Sequence, residues 1–135
     1  MKSFIIGAFA VLFALVPSVP AAKASDAEMK LFESLGEVLY YMEINERIRQ
    51  QCNYSLLTMH DILRIDEIIR NKTSYSYFEA LDMVSEEGVD EAFFNEEALE
   101  LVDVLGCTPA LFDLWDKLYE ESFRPALRYI WSFNG

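Results

Sequence analysis

The sequence has 135 residues, with 11 lysines and arginines against 23 aspartates and glutamates and a formal net charge of −12. Such a balance excludes nucleic acid, whose phosphates need a basic face, and excludes anionic lipid surfaces for the same reason, while it suits fast, salt-dependent encounter with a basic protein. The length is that of one domain with one core, and no Gly-, Pro- or Ser-rich linker, internal repeat or low-complexity tract divides it.

The chain opens with the three parts of a secretory signal. Lys2 supplies a minimal positive start, an apolar run follows from Phe4 to Val16, and then come Pro17, Pro20 and small residues ending in Ala22-Lys23-Ala24. The apolar run is shorter than the roughly 20 residues needed to cross a bilayer, so it reads as a cleaved signal over residues 1–24 rather than an anchor. No cysteine stands at the cleavage position to take a lipid. The expected product is residues 25–135, periplasmic or secreted, with no stable membrane span after cleavage, and the style of the signal is bacterial. Cleavage removes Lys2 and Lys23 but no acid, leaving 9 bases against 23 acids and a net charge of −14.

Helical periodicity then runs through the rest. From Ala27 to Gln51, Leu31, Leu35, Val38 and Met42 recur at three- and four-residue steps, with Phe32, Leu39 and Ile48 widening the stripe. A second helix is predicted from Ser55 to Asn71; its apolar residues leave so narrow a polar strip that a central position is expected. A third runs from Ser74 to Glu87 and ends at Gly88. Phe93 and Phe94 are read as a short acidic link. The fourth helix, Asn95 to Leu105, takes Asn95 as its cap and stops at Gly106, and a fifth opens at Thr108-Pro109. Pro125 breaks or kinks that helix before a last aromatic segment. Alternating apolar residues bounded by turn signals are absent, so the expected fold is all-α, a compact bundle of about five helices.

Cys52 and Cys107 are the only cysteines, and export to an oxidising compartment predicts a disulfide between them. It closes a loop of about 55 residues, for which the chain-entropy model gives roughly 4 kcal/mol. A reactive thiol would need an electropositive setting, which neither Gln51-Cys52-Asn53 nor Gly106-Cys107-Thr108 offers.

Motifs for catalysis are lacking. His60 is the only histidine, and the residue three before it is Leu57, which does not match the Glu-x-x-His of di-metal bundles. An EF-hand loop about Gly88 would put Met83 and Phe94 at ligand positions. Gly-x-Ser-x-Gly, His-Glu-x-x-His and Gly-rich phosphate loops do not occur. The reading assigns no catalytic, cofactor or metal residues, with a small carboxylate-based hydrolase as the least favoured alternative.

The informative pattern is acid at helical spacing. Glu96, Glu100 and Asp103 share one face of the fourth helix, and Asp113, Asp116 and Glu120 share one face of the fifth. Glu86, Glu87, Asp90 and Glu91 extend the charge, and Lys117 is the only base from residue 86 to residue 120. Such stripes are either solvated faces or a docking surface for a basic protein, with Trp115 and Tyr119, and also Phe93, Phe94 and Trp131, as candidate apolar anchors. In size, acidity and its cysteine pair the chain resembles small exported immunity proteins of interbacterial secretion systems. That resemblance implies an inhibitor neutralising a basic secreted toxin. A periplasmic chaperone or secretion adaptor is the alternative, and a homodimer is compatible with either.

Overall fold

The computed structural model describes residues 25–134; the signal predicted over residues 1–24 lies outside the described residues. These fold into helices α1 (Asp26–Cys52), α2 (Met59–Thr73), α3 (Tyr77–Ser85), α4 (Glu91–Leu105), α5 (Pro109–Leu118) and α6 (Arg124–Ser132), with a π turn at Tyr119–Phe123 that fuses α5 and α6 into one continuous rod. Five rods result, and no strand occurs among the described residues, as the helical periodicity implied.

The longest helix is the hub. Ser25 caps α1 by accepting the Glu28 N–H (3.1 Å), and Asn53 ends it in the left-handed region (φ 55°) with its N–H on the Arg49 carbonyl. Asparagine tolerates that conformation because its short polar side chain bonds locally. Val38, Ile44 and Ile48 are wholly buried, and α4, α6 and the π turn all pack on α1. The helix is covered on several sides, which explains why even Gly36 and Ser34 lie inside.

The central place predicted for the second helix therefore belongs to the first. In α2 only Ile65, Ile68 and Ile69 are buried, while Met59 and Leu63 face outward. Its apolar residues occupy two faces, and the body of the protein, through α6 and α3, covers one of them. The helix also starts later than the periodicity indicated. Thr58 and Asp61 form a reciprocal capping box, whereas the Ser55 hydroxyl accepts the Leu57 N–H (3.0 Å) in a local turn.

For α4 the opposite correction applies, since the helix begins at Glu91. Asp90 is the cap and accepts the Phe93 N–H (3.0 Å), so Phe93 and Phe94 belong to the first turn and Asn95 is an interior residue. The Asn95 side chain instead accepts from Arg47 Nε (2.6 Å), tying α4 to α1. Just before α4, the Val89 N–H returns to the Val84 carbonyl (3.0 Å) around Gly88, whose φ of +98° suits glycine.

Thr108 holds the N-cap position of α5, but its hydroxyl donates to the Leu105 carbonyl (2.8 Å) rather than capping. Further along, Pro125 has no N–H to give Glu121, and its ring would press on that carbonyl in a regular helix. The π turn accommodates this: the Arg124 N–H reaches back to the Tyr119 carbonyl, widening the helix by one residue before the proline. Cys52 and Cys107 are bonded, with Cα atoms 5.3 Å apart, which fastens the end of α1 to the entry of α5.

Among the described residues, no helix is long and apolar enough to cross a membrane.

Candidate functional site

The acidic faces of α4 and α5 are built by the same periodicity that builds their buried faces. On α4, Phe94, Ala98 and Leu101 are buried against the body, so Glu96, Glu100 and Asp103, about 100° or more around the helix, are exposed. None of the three takes part in an ion pair among the described residues. Two apolar residues share that outer surface: Leu99 is 49% exposed and Val104 66%. The face is thus a stripe of carboxylates with a bare aliphatic side chain on each flank, a feature that reading the charges alone did not register.

Glu97 departs from its neighbours. It lies between Phe94 and Leu101 on the inner face and is 8% exposed, with a hydrogen bond to the buried Tyr40 hydroxyl of α1. Burial, reinforced by the nearby charges of Glu100 and Glu96, pushes its carboxyl up to about 7, and the Tyr40 bond only partly opposes the rise. The Tyr40 hydroxyl is raised too, by burial and by Glu97. The spacing already implied this, because a residue three after Phe94 and four before Leu101 must share their face. A second raised carboxyl lies on α1: burial and the charge of Glu33 bring Glu37 to about 7.

Asp113 and Asp116 of α5 and Glu120 of the π turn are all exposed, but two of the three are engaged. Asp116 accepts a short hydrogen bond from the Tyr54 hydroxyl, whose ring stacks on Phe112 with centroids 4.2 Å apart. Burial and then the Asp116 bond raise the Tyr54 hydroxyl to about 12. Glu120 pairs with Arg124 at 2.8 Å, one turn on. The freer of the two acidic faces is that of α4.

Trp115 is not a surface anchor. It is wholly buried, stacked on Tyr41 with centroids 4.4 Å apart, and its indole N–H donates to Asn45 Oδ1 (2.9 Å). Asn45 in turn donates to Ser55 Oγ (2.9 Å), so one buried polar chain joins α5, α1 and the turn before α2. The indole falls inward because Leu111 and Trp115 are a helical turn apart and both are buried, on the side away from the exposed Asp113 and Asp116. Tyr119 is half-buried in the same aromatic cluster, with its ring near Tyr41 and Phe123. Phe94 is likewise in the core and Phe93 is partly covered, whereas Trp131 of α6 is exposed on another part of the surface.

His60 is exposed on α2. Among the described residues no group of three or more histidine, cysteine, aspartate or glutamate side chains is arranged to hold a metal ion. The α4 face thus carries fixed negative charge with no ion pair among the described residues, beside two exposed aliphatic side chains on the same helix. Compared with known protein families, curated proteins and solved structures, the chain gives no significant match to any of them.

Proposed function

We propose that this is an exported protein-binding module whose α4 face docks a basic protein, in the manner of an inhibitor that neutralises a secreted toxin. The observation that carries the reading is the composition of that face: Glu96, Glu100 and Asp103 without ion-pair partners among the described residues, flanked by exposed Leu99 and Val104. Solubility alone needs charge but gains nothing from bare Leu and Val beside it. Binding uses both, with apolar contacts for affinity and a single sign of charge for rate and partner choice. Export is supported by the signal-like start of the sequence and by the Cys52–Cys107 bond, with no free cysteine among the described residues.

The test is a pull-down from the cell envelope of the source, using protein recovered after export and a rising salt gradient. Wild type is compared with the Glu96→Lys/Glu100→Lys/Asp103→Lys variant and with Leu99→Ser/Val104→Ser. One basic protein should be retained by wild type and released at moderate salt. Charge reversal should weaken its association by about a hundredfold or more, chiefly through the on-rate, and the polar variant should speed its release. Thermal unfolding and circular dichroism of each variant, expected to match wild type because all five positions are exposed, separate a loss of binding from unfolding. Retention that ignores the reversal would overturn the reading.

A further inference from the structure

A second surface stands apart from the acidic faces. Between α2 and the end of α6 lies an open groove, floored by α2 and walled by Trp131, in which Leu63 is 63% exposed and Trp131 55%. Arg64 sits over the Trp131 ring at 5.8 Å. The electrostatics here differ from the rest of the molecule. Helix α2 balances Arg64, Arg70 and Lys72 against Asp61, Asp66 and Glu67, and α6 carries Arg124 and Arg128 with no acid. On a chain this acidic, it is the side on which another strongly acidic molecule can approach without repulsion.

The α2 residues lining the groove are His60, Leu63, Arg64, Glu67, Ile68 and Asn71. Any stripe at this spacing maps onto itself when two copies of a helix pack antiparallel about a two-fold axis, here between Ile65 and Asp66. What is particular to this stripe is the chemistry of the mapped pairs. Arg64 meets Glu67 and His60 meets Asn71, each twice by symmetry, whereas Ile68, the mate of Leu63, is buried in its own chain. Cation faces anion, and a ring nitrogen faces an amide. Within one chain Arg64 and Glu67 form no ion pair among the described residues, so both are available to a second copy.

We propose that the α2 face, flanked by Trp131, is an isologous interface at which two copies of this chain associate, with Arg64 of each copy paired to Glu67 of the other. No α4 residue lines this groove, so the proposal is independent of the role proposed for that face.

The test is sedimentation velocity on protein recovered after export from cells expressing the full chain, over concentrations from about 1 μM to about 1 mM. Wild type should pass reversibly from monomer to dimer. Arg64→Glu sets like charges opposite each other at two symmetric positions, as does Glu67→Arg, and each should lower the association constant about tenfold or more. The double variant Arg64→Glu/Glu67→Arg restores opposite charges across the axis and should return the constant to within about threefold of wild type. Because both positions are exposed, that recovery also shows that the single variants were folded. A chain monomeric throughout, a dimer indifferent to both single variants, or a double variant no better than the singles would each overturn the proposal.

Discussion

Glu97 is a carboxylic acid held in a place built for an aliphatic side chain, and its consequences can be measured. Its carboxyl is raised to about 7 from an ordinary 4.5, chiefly by burial. The folded protein therefore binds a proton at Glu97 more tightly than the unfolded chain does, so stability from this group is full below about 4.5 and is lost as pH rises through about 7. Glu37, raised to about 7 by burial and Glu33, acts with the same sign. Thermal unfolding of wild type should accordingly fall in temperature between pH 5 and pH 8. Glu97→Gln keeps the shape and a hydrogen bond for Tyr40 without the charge. It should leave the transition nearly unchanged at pH 5 and raise it at pH 8, flattening the profile. Equal shifts at both pH values would mean that packing, rather than ionisation, governs this position. General repulsion among the exposed acids also grows with pH, and a surface Asp103→Asn control separates it from the buried contribution, since Asp103 is exposed and is not among the charges that raise Glu97.

At the scale of the helices, the start of α4 is the sharpest test of how local chemistry selects an element. Both Asp90 and Asn95 are cap-forming residues, and the chain uses Asp90 because starting there puts Phe94 on the buried face. Asp90→Ala should cost about 1 kcal/mol in chemical denaturation, through loss of the bond to the Phe93 N–H. An Asn95→Ala change removes only the exposed contact with Arg47 and should cost less. A larger effect at Asn95 would mean that the helix begins where its periodicity alone placed it. The same competition explains what was legible. Five rods, the Thr108-Pro109 entry and the cysteine pair follow from periodicity, caps and compartment, all local or compositional signals. Which helix is central does not, because α2 has apolar residues on two faces and only tertiary packing decides that Ile65 and Ile69 go in while Leu63 stays out. Trp115 was legible only in part: its amphiphilic ring fits a surface anchor as well as a core, and the buried acceptor that makes it core is Asn45, 70 residues away. The acidic stripes read correctly as exposed, but a reading of the charges alone did not register the exposed Leu99 and Val104 beside them.

Across the whole molecule, stability rests on how α1 is held to its partners. Helices α2, α3 and α4 all lie in the segment between Cys52 and Cys107, a separation of 55 residues, so the bond closes a loop containing three of the five rods. The cross-link acts mainly on the unfolded chain, whose freedom it restricts by an amount worth roughly 4 kcal/mol for a loop of that size. Domains of this length are stable by about 5–15 kcal/mol in total, and this one carries repulsion among its many acids as well. Reduction, or Cys52→Ser/Cys107→Ser, should therefore remove a third or more of the stability and lower the thermal midpoint by well over 10 °C. Added salt screens the acid repulsion and should recover part of the loss in the reduced protein. The folded structure itself should survive below that midpoint, because the Trp115–Asn45–Ser55 hydrogen bonds and the Tyr41–Trp115 stack hold α1 and α5 together without the sulfurs. Calorimetry of the oxidised and reduced forms, with near-ultraviolet circular dichroism of the buried Trp115, distinguishes the cases. A lower midpoint with an unchanged tryptophan signal is expected. Loss of that signal at low temperature would mean that the disulfide is required to assemble the core and does not merely restrain the unfolded chain.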